Sequence, residues 1–388
     1  MDDVIVIGGG IVGASTAYHL ARGGAQVTLI DRDWPGQATA AGAGIISPGT
    51  SLKPQAAFFP LAFRAVAYYE ELLAHLAEDG EATTGYETVG LLHIATTPEE
   101  ANRLPILLHL FQERQATGVK NLGEIHLIDD QTARQLFPPL GITYGAIYTS
   151  GAARIDGRLM RDALRGAAQF RGAKIVMASQ GAELIREGQR IGKVRVDGQT
   201  LTTDAVVIAT GAWSGEYMET LGLTVPVYPQ RGQILHLEYP EETGHWPIIQ
   251  GFHSHYLLTF PGGRVVAGAT RENDAGFEVR ATVGGIHEDL YEALRVAPGL
   301  ARANIHEIRV GLRPATPDGL PILGHIPGVE NAFLATGHGP SGLQLGPYSG
   351  ALIAELALGH QSAPDLAPFA VTRFQKEKII NSIYSTST

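Results

Sequence analysis

Apolar positions open the chain as a short continuous run, Val4–Ile7, followed by glycines and a helical stretch from about Ile11 to Ala21. A second apolar run, Val27–Ile30, ends at Asp31. Runs without polar alternation suit strands buried on both faces, so the pattern predicts a βαβ unit with a parallel sheet. Next comes a helix through residues 70–76, with Leu72, Leu73 and Leu76 inward, and a strand over 90–95. Residues 98–118 read as helical, with Pro105 starting or kinking the element. A helix over 158–170 and a strand over 174–178 follow. A hairpin turns at Asp197-Gly198, and a buried strand over 205–209 ends in Thr210-Gly211. Alternating runs at 233–237, 256–260 and 264–267 predict a β-rich region, the last two joined by Pro261-Gly262-Gly263. Residues 287–296 read as a helix, 332–335 as a strand, 337–342 as a glycine-rich turn and 343–358 as a helix.

This order predicts an α/β protein: a Rossmann-type nucleotide-binding domain interleaved with an α+β domain on an antiparallel sheet. The expected division gives 1–85, 146–224 and 331–388 to the first domain, and 86–145 and 225–330 to the second. A chain of 388 residues is long enough for two such cores.

Composition narrows the chemistry. The formal charge of −10 disfavours a nucleic acid or an anionic membrane as the main partner. The absence of cysteine excludes disulfides, thiolate metal sites, catalytic thiols and cysteine-linked cofactors. Residues 1–20 begin with Asp2 and Asp3, lack a basic region and are broken by glycines, which is unlike a signal peptide. No apolar run reaches the roughly 18 residues of a membrane helix, so a cytoplasmic enzyme is the expectation.

Gly8, Gly10 and Gly13 form G-x-G-x-x-G between the first strand and the first helix, with Ile11 and Val12 in the same turn. The first glycine permits the tight turn, the second lets backbone approach a pyrophosphate, and the third lets helix and strand pack. Asp31, at the end of the second strand, stands where a carboxylate takes the ribose hydroxyls and would repel a 2′-phosphate. The triplet alone does not separate NAD from FAD. A second glycine-rich turn, Gly337–Gly342, supplies another helix N-terminus suited to the negative charge of a reduced flavin.

Four stretches, VIVIGGGIVGASTAYHLA, TAAGAGI, VVIATGAWS and GLRPATPDGLPILG continuing to GHGPSGLQLGPYSG, resemble the D-amino acid oxidase superfamily, in its glycine oxidase and D-amino acid dehydrogenase branch. The resemblance implies FAD. Asp31 and Arg32 would hold the adenosine ribose, with Ala38, Thr39, Ala43, Gly44 and Ile45 along the pyrophosphate and flavin. Thr210 and Gly211 fall in the third stretch, a backbone contact to adenine would come near Ala182, and His338, Gly339, Pro340, Ser341, Gly342, Leu343 and Gln344 would run under the flavin. Arg313 matches the family arginine that fixes a substrate carboxylate, a role suited to a planar two-pronged donor. Its alternative is a structural ion pair with Asp318. Tyr256 matches a tyrosine beside the substrate, or is a core tyrosine. Relatives that attach flavin use a cysteine near Pro314–Thr316. This chain has none, so the FAD is expected to be non-covalent.

The implied reaction is oxidation of a small amino acid to an imine, by hydride transfer from Cα to flavin N5. Oxygen or another acceptor then takes the electrons. A flavin dehydrogenase of a 2-hydroxy acid, an NAD-dependent dehydrogenase and a non-catalytic flavin-binding subunit remain alternatives, and a homo-oligomer is compatible with the sequence. His253 and His255 would share a face if extended, but further ligands at metal spacing are lacking, so no metal is expected. Arg231-Gly232 reads as a structural corner, with the border of the active site as its alternative place.

Overall fold

The computed structural model describes residues 3–360 and 365–374. Asp2, and residues 361–364 and 375–388 of the expected third nucleotide-binding segment, lie outside the described residues.

The first core is a six-stranded sheet. Its order runs Ile322–His325, Ala332–Thr336, Ala205–Ile208, Asp3–Ile7, Gln26–Asp31 and Lys174–Met177. All its pairings are parallel except that of Ile322–His325 with Ala332–Thr336. Val4 lies between Val27 and Ala205, so the continuous apolar runs sit at the sheet's centre, covered on both faces. One face carries the helices Ile11–Arg22, Gly157–Phe170 and Gly342–Ala357. The first and last of these approach closely because Gly346 and Gly350 meet Ile11, Val12 and Ser15. Ser15 Oγ donates to the Pro347 carbonyl at 2.6 Å, and the Leu343 carbonyl, left without an amide by Pro347, accepts the Tyr69 hydroxyl instead.

The second core is an eight-stranded sheet in the order Asn304–Ala315, Tyr228–Glu238, Arg264–Gly268, Tyr256–Phe260, Ile248–Gln250, Leu91–Ile94, Ala146–Thr149 and Ile125–Ile128. It is antiparallel apart from the pairing of Ile248–Gln250 with Leu91–Ile94. The helix Val283–Val296 covers one face of this sheet through Ala293, beside Leu235, Leu237 and Trp246.

Sheet membership shifts the expected division at two points. Ala146–Thr149 pairs with Leu91–Ile94 and Ile125–Ile128 in the second sheet, although residue 146 was placed in the first domain. Ile322–His325 pairs with Ala332–Thr336 in the first sheet, on the other side of the boundary expected at 330. The 98–118 stretch is two helices, Pro98–Ala101 and Leu104–Ala116, with Pro105 in the first turn of the second. Arg231-Gly232 is not a corner. It lies inside the strand Tyr228–Glu238, where Arg231 is buried against Glu272 at 2.6 Å.

Candidate active site

One cavity of about 700 Å³ runs between the two sheets, from the first glycine turn to the strand Asn304–Ala315. At its inner end the chain leaves the strand Asp3–Ile7 through Gly8, whose φ of +100° suits glycine alone, and enters the helix Ile11–Arg22. A Cβ on Gly13 would stand 1.8 Å from the Gly8 carbonyl oxygen, so this glycine fixes the packing of helix on strand. The helix N-terminus opens on the cavity with no acid in its first turn, an arrangement that favours an anion. Thr39 Oγ1 accepts the Ile11 N–H at 2.9 Å, satisfying one of the free amides and tying 38–41 to the turn.

Asp31 is buried beside Gly9, where Arg165, from the helix Gly157–Phe170, pairs with its carboxylate and also donates to the Gly9 carbonyl. Arg32 lies with its guanidinium carbon 3.1 Å from the Trp34 ring centroid. Its Nη2 is buried without a hydrogen-bond partner, and the Glu216 carboxylate is 3.7 Å away, beyond bonding reach.

At the outer end Arg313 projects from Asn304–Ala315, opposite Gln230 on the neighbouring strand. Its Nη1 donates to the Thr270 carbonyl at 2.9 Å and approaches Gln230 Oε1 at 3.4 Å. Among the described residues no carboxylate pairs with it, and Asp318 is taken by Arg373 at 2.7 Å. Burial holds the Arg313 guanidinium below its ordinary value. Gly232 makes this placement physical, because a Cβ there would come 2.4 Å from Arg313 Nη2. Tyr256 lines the same end, and burial pushes its hydroxyl up to about 12, so it stays protonated near neutrality.

The cavity wall brings together Gly8, Gly10, Ile11, Val12, Asp31, Arg32, Ala38, Thr39, Ala43, Gly44, Ile45, Thr210, Gly211, Tyr256, Arg313 and all of His338–Gln344. Gly13 and Ala182 do not line it. Gly13 acts through packing, and the Ala182 N–H donates to Tyr217 Oη at 3.2 Å, leaving Gly181 as the wall residue. His338 is buried with Nε2 3.0 Å from Ser349 Oγ, and burial takes its imidazole down to about 4, so it is neutral. Gln344 Oε1 accepts the Ser47 N–H at 3.2 Å. His253 and His255 lie on a bent segment and part company: His253 faces Glu100 and Glu292, and His255 faces Glu288 and Asp289. Among the described residues no three such side chains converge to hold a metal.

A family model described as FAD dependent oxidoreductase matches residues 3–356. The chain belongs to this family. It is an FAD-dependent oxidoreductase, in the superfamily that its glycine turns and GLRPATPDG segment resemble. It is 42% identical over 371 residues to the uncharacterized oxidoreductase YurR of Bacillus subtilis, covering 95% of this chain and 98% of that one. It is 30% identical over 379 residues to the glycine oxidase of Geobacillus kaustophilus, covering 96% and 97%. Among solved structures, iminodiacetate oxidase from Chelativorans sp. BNC1 superposes with a TM-score of 0.90 at 38% identity, covering 95% of this chain and 98% of that one.

The inner residues fit FAD. Only Thr39 Oγ1, at 3.2 Å, lies near where a Cβ on Gly10 would stand, so the turn leaves room for a pyrophosphate. Arg32 Nη2, which lacks a hydrogen-bond partner, and the Asp31 carboxylate would offer a donor and an acceptor to the nucleotide part of FAD.

Sequence reasoning missed Arg165, Lys53, Arg271, Trp34 and Trp213, whereas Gly232, which the sequence placed at a possible border of the site, does line the cavity. Gly232 carried a signal, since a glycine inside a strand pattern marks a close approach. Arg165 carried none, being one arginine among several on an amphipathic helix. Among the described residues no helix is long and apolar enough to cross a membrane.

Proposed function

We propose that this chain catalyses the FAD-dependent oxidation of a small amino acid to an imine, which water hydrolyses to an oxo acid and ammonia or an amine. The observation that carries the reading is Arg313, a desolvated guanidinium with no carboxylate partner among the described residues, facing the cavity that begins at the dinucleotide turn. Glycine oxidase and iminodiacetate oxidase, both similar to this chain over nearly its whole length, support the same substrate class.

When bound, FAD supplies a two-electron acceptor that takes hydride at N5. The residues do the placing. Arg313 binds the substrate carboxylate in two-pronged fashion, and the Tyr256 hydroxyl, protonated at working pH, donates to the same group. These contacts leave the Cα–H bond as the reactive element, so orientation contributes more than proton transfer. His338, neutral and held by Ser349, adds no cation to the wall at neutral pH. The amine must lose its proton before the C–H bond breaks, so the rate rises with pH through the substrate's own titration. The Asp31 carboxylate and Arg32 hold the adenosine ribose in this reading, and without a cysteine near Pro314–Thr316 the FAD is non-covalent. The electrons pass on to oxygen or another acceptor, and the enzyme works in the cytoplasm.

The test is anaerobic mixing of holoenzyme with glycine, sarcosine, D- and L-amino acids and 2-hydroxy acids, following flavin absorbance. An amino acid should bleach the flavin fastest. Arg313→Ala should lower kcat/KM by at least about 30-fold, as loss of a desolvated ionic contact does. Bleaching by 2-hydroxy acids alone, or an unchanged kcat/KM in the variant, sinks the reading.

A further inference from the structure

We propose that the substrate carries a second carboxylate, held by Lys53 and Arg271 in the cavity that Arg313 also lines. The inference rests on the amino acid oxidation reading and narrows its substrate class.

The substrate end of the cavity has an imbalance of charge. Arg313, Arg271 and Lys53 all line it, and among the described residues none of the three pairs with an acid. The single carboxylate in the cavity wall is Asp31, at the opposite end and already engaged by Arg165. The acid next to Arg271 in the chain, Glu272, is also spent. Its Oε2 takes Arg231 and its Oε1 takes Gln233 and Thr270. Asp289 is outside the cavity wall and faces His255, so it is directed to that imidazole and makes no ion pair with Arg313, Arg271 or Lys53.

The cations are also placed to act together. Arg271 follows Thr270, whose carbonyl accepts from Arg313 Nη1, so the segment that carries Arg271 is tied to Arg313. Lys53 comes from a third segment, its Nζ 4.5 Å from the Phe58 ring centroid. Burial and the charge of Arg271 push the Lys53 ammonium down to about 8, which marks it as a partly desolvated cation lacking an anion. A monocarboxylate would answer one of the three charges. A dicarboxylate answers Arg313 and the Lys53–Arg271 pair, each with a group of matching chemistry. Arg271 is exposed, so the second carboxylate would lie toward solvent, away from the reacting carbon.

Two kinds of amino acid have this chemistry: N-carboxymethyl amines, and α-amino acids with an acidic side chain. For iminodiacetate the step balances as follows. One CH2 loses hydride to FAD, the N–H proton goes to solvent and a C=N bond forms. Water then cleaves that bond, giving glyoxylate and glycine, while oxygen or another acceptor takes the two electrons.

The test uses unreactive ether analogues on the anaerobic holoenzyme, with flavin absorbance as the binding signal. Diglycolate mimics iminodiacetate and methoxyacetate mimics sarcosine, differing by the second carboxylate. Diglycolate should bind more tightly, and Lys53→Met and Arg271→Met should each lower the diglycolate-to-methoxyacetate affinity ratio by about tenfold. Lys53→Arg should restore most of that ratio. Equal affinities for the two analogues overturn the proposal, as does a ratio unmoved by both methionine variants. A Lys53→Met enzyme with an altered ligand-free flavin spectrum and equal losses for both analogues also overturns it, since the ammonium would then serve the cofactor. Arg313→Ala weakens both analogues if the underlying reading stands, so that reading can fail or hold independently. Turnover with iminodiacetate, against D- and L-aspartate and glutamate, separates the two kinds of substrate.

Discussion

Arg165 grips the Asp31 carboxylate and the Gly9 carbonyl with one guanidinium, tying the helix Gly157–Phe170 to both the acidic strand end and the glycine turn. The acid that faces the nucleotide site is therefore neutralised and aimed by a residue 134 positions away. Arg165→Ala leaves that buried carboxylate without its cation and should destabilise the flavin-free protein by about 2 kcal/mol. Adding Asp31→Asn removes the uncompensated charge, so the double variant should be less destabilised than the sum of the singles. Asp31→Asn alone should weaken FAD binding by roughly tenfold. Thermal melts of flavin-free protein and FAD titrations measure both effects, and strictly additive melting shifts would show that the two residues are uncoupled.

The glycines of the first turn do different jobs, and alanine separates them. At Gly13 the new Cβ would sit 1.8 Å from the Gly8 oxygen, so helix and strand must part. Gly13→Ala should cost about 2 kcal/mol or more of stability even without flavin. At Gly10 the nearest atom is Thr39 Oγ1 at 3.2 Å, so Gly10→Ala should fold but fill space needed by the pyrophosphate. The expected pattern is a lowered melting temperature for the first, and a near-native flavin-free melt with weakened FAD binding for the second. The same response in both variants would refute the division.

How far this arrangement was legible depends on how local each signal is. The glycine triplet, Asp31 and the Asp197-Gly198 hairpin are contiguous, and both hairpin residues have positive φ as the turn demands. The strand Asn304–Ala315 escaped notice. Its first half is exposed and polar, and Gly311 and Pro314 look like breakers, yet both sit where the strand pairs with Tyr228–Glu238. Arg231 was read as a corner because its neutralising partner, Glu272, is distant in sequence. The cation group at Lys53, Arg271 and Arg313 draws on three segments, and only the fold makes them neighbours.

Gly232 gives a test of how Arg313 is positioned. Gly232→Ala puts a methyl 2.4 Å from Arg313 Nη2, against a guanidinium also held by Thr270 and Gln230. The side chain must shift while the strand, whose φ at this position is ordinary, persists. Substrate KM should rise by about tenfold with little change in melting temperature or FAD affinity. A variant with unchanged KM would mean that the guanidinium position is unimportant for binding.

Acid should unfold this protein partly through histidines. His93 and His236 are each 2% exposed, and neither ring has a hydrogen-bond partner. Burial brings His93 down to about 4, and burial with the nearby Arg309 and Arg264 brings His236 down to about 3. Above pH 6.5 both are neutral whether folded or not, and they leave stability independent of pH. Below that, the unfolded chain gains protons that the folded one refuses, so stability falls as pH drops from about 6.5 toward each folded value. The loss is roughly 3 kcal/mol for His93 and roughly 4 kcal/mol for His236 once each folded value is reached. His236→Leu removes one such group, so the variant's melting temperature should decline less steeply than the parent's between pH 6.5 and 4. Parallel declines over that window would place the acid sensitivity in groups other than His236.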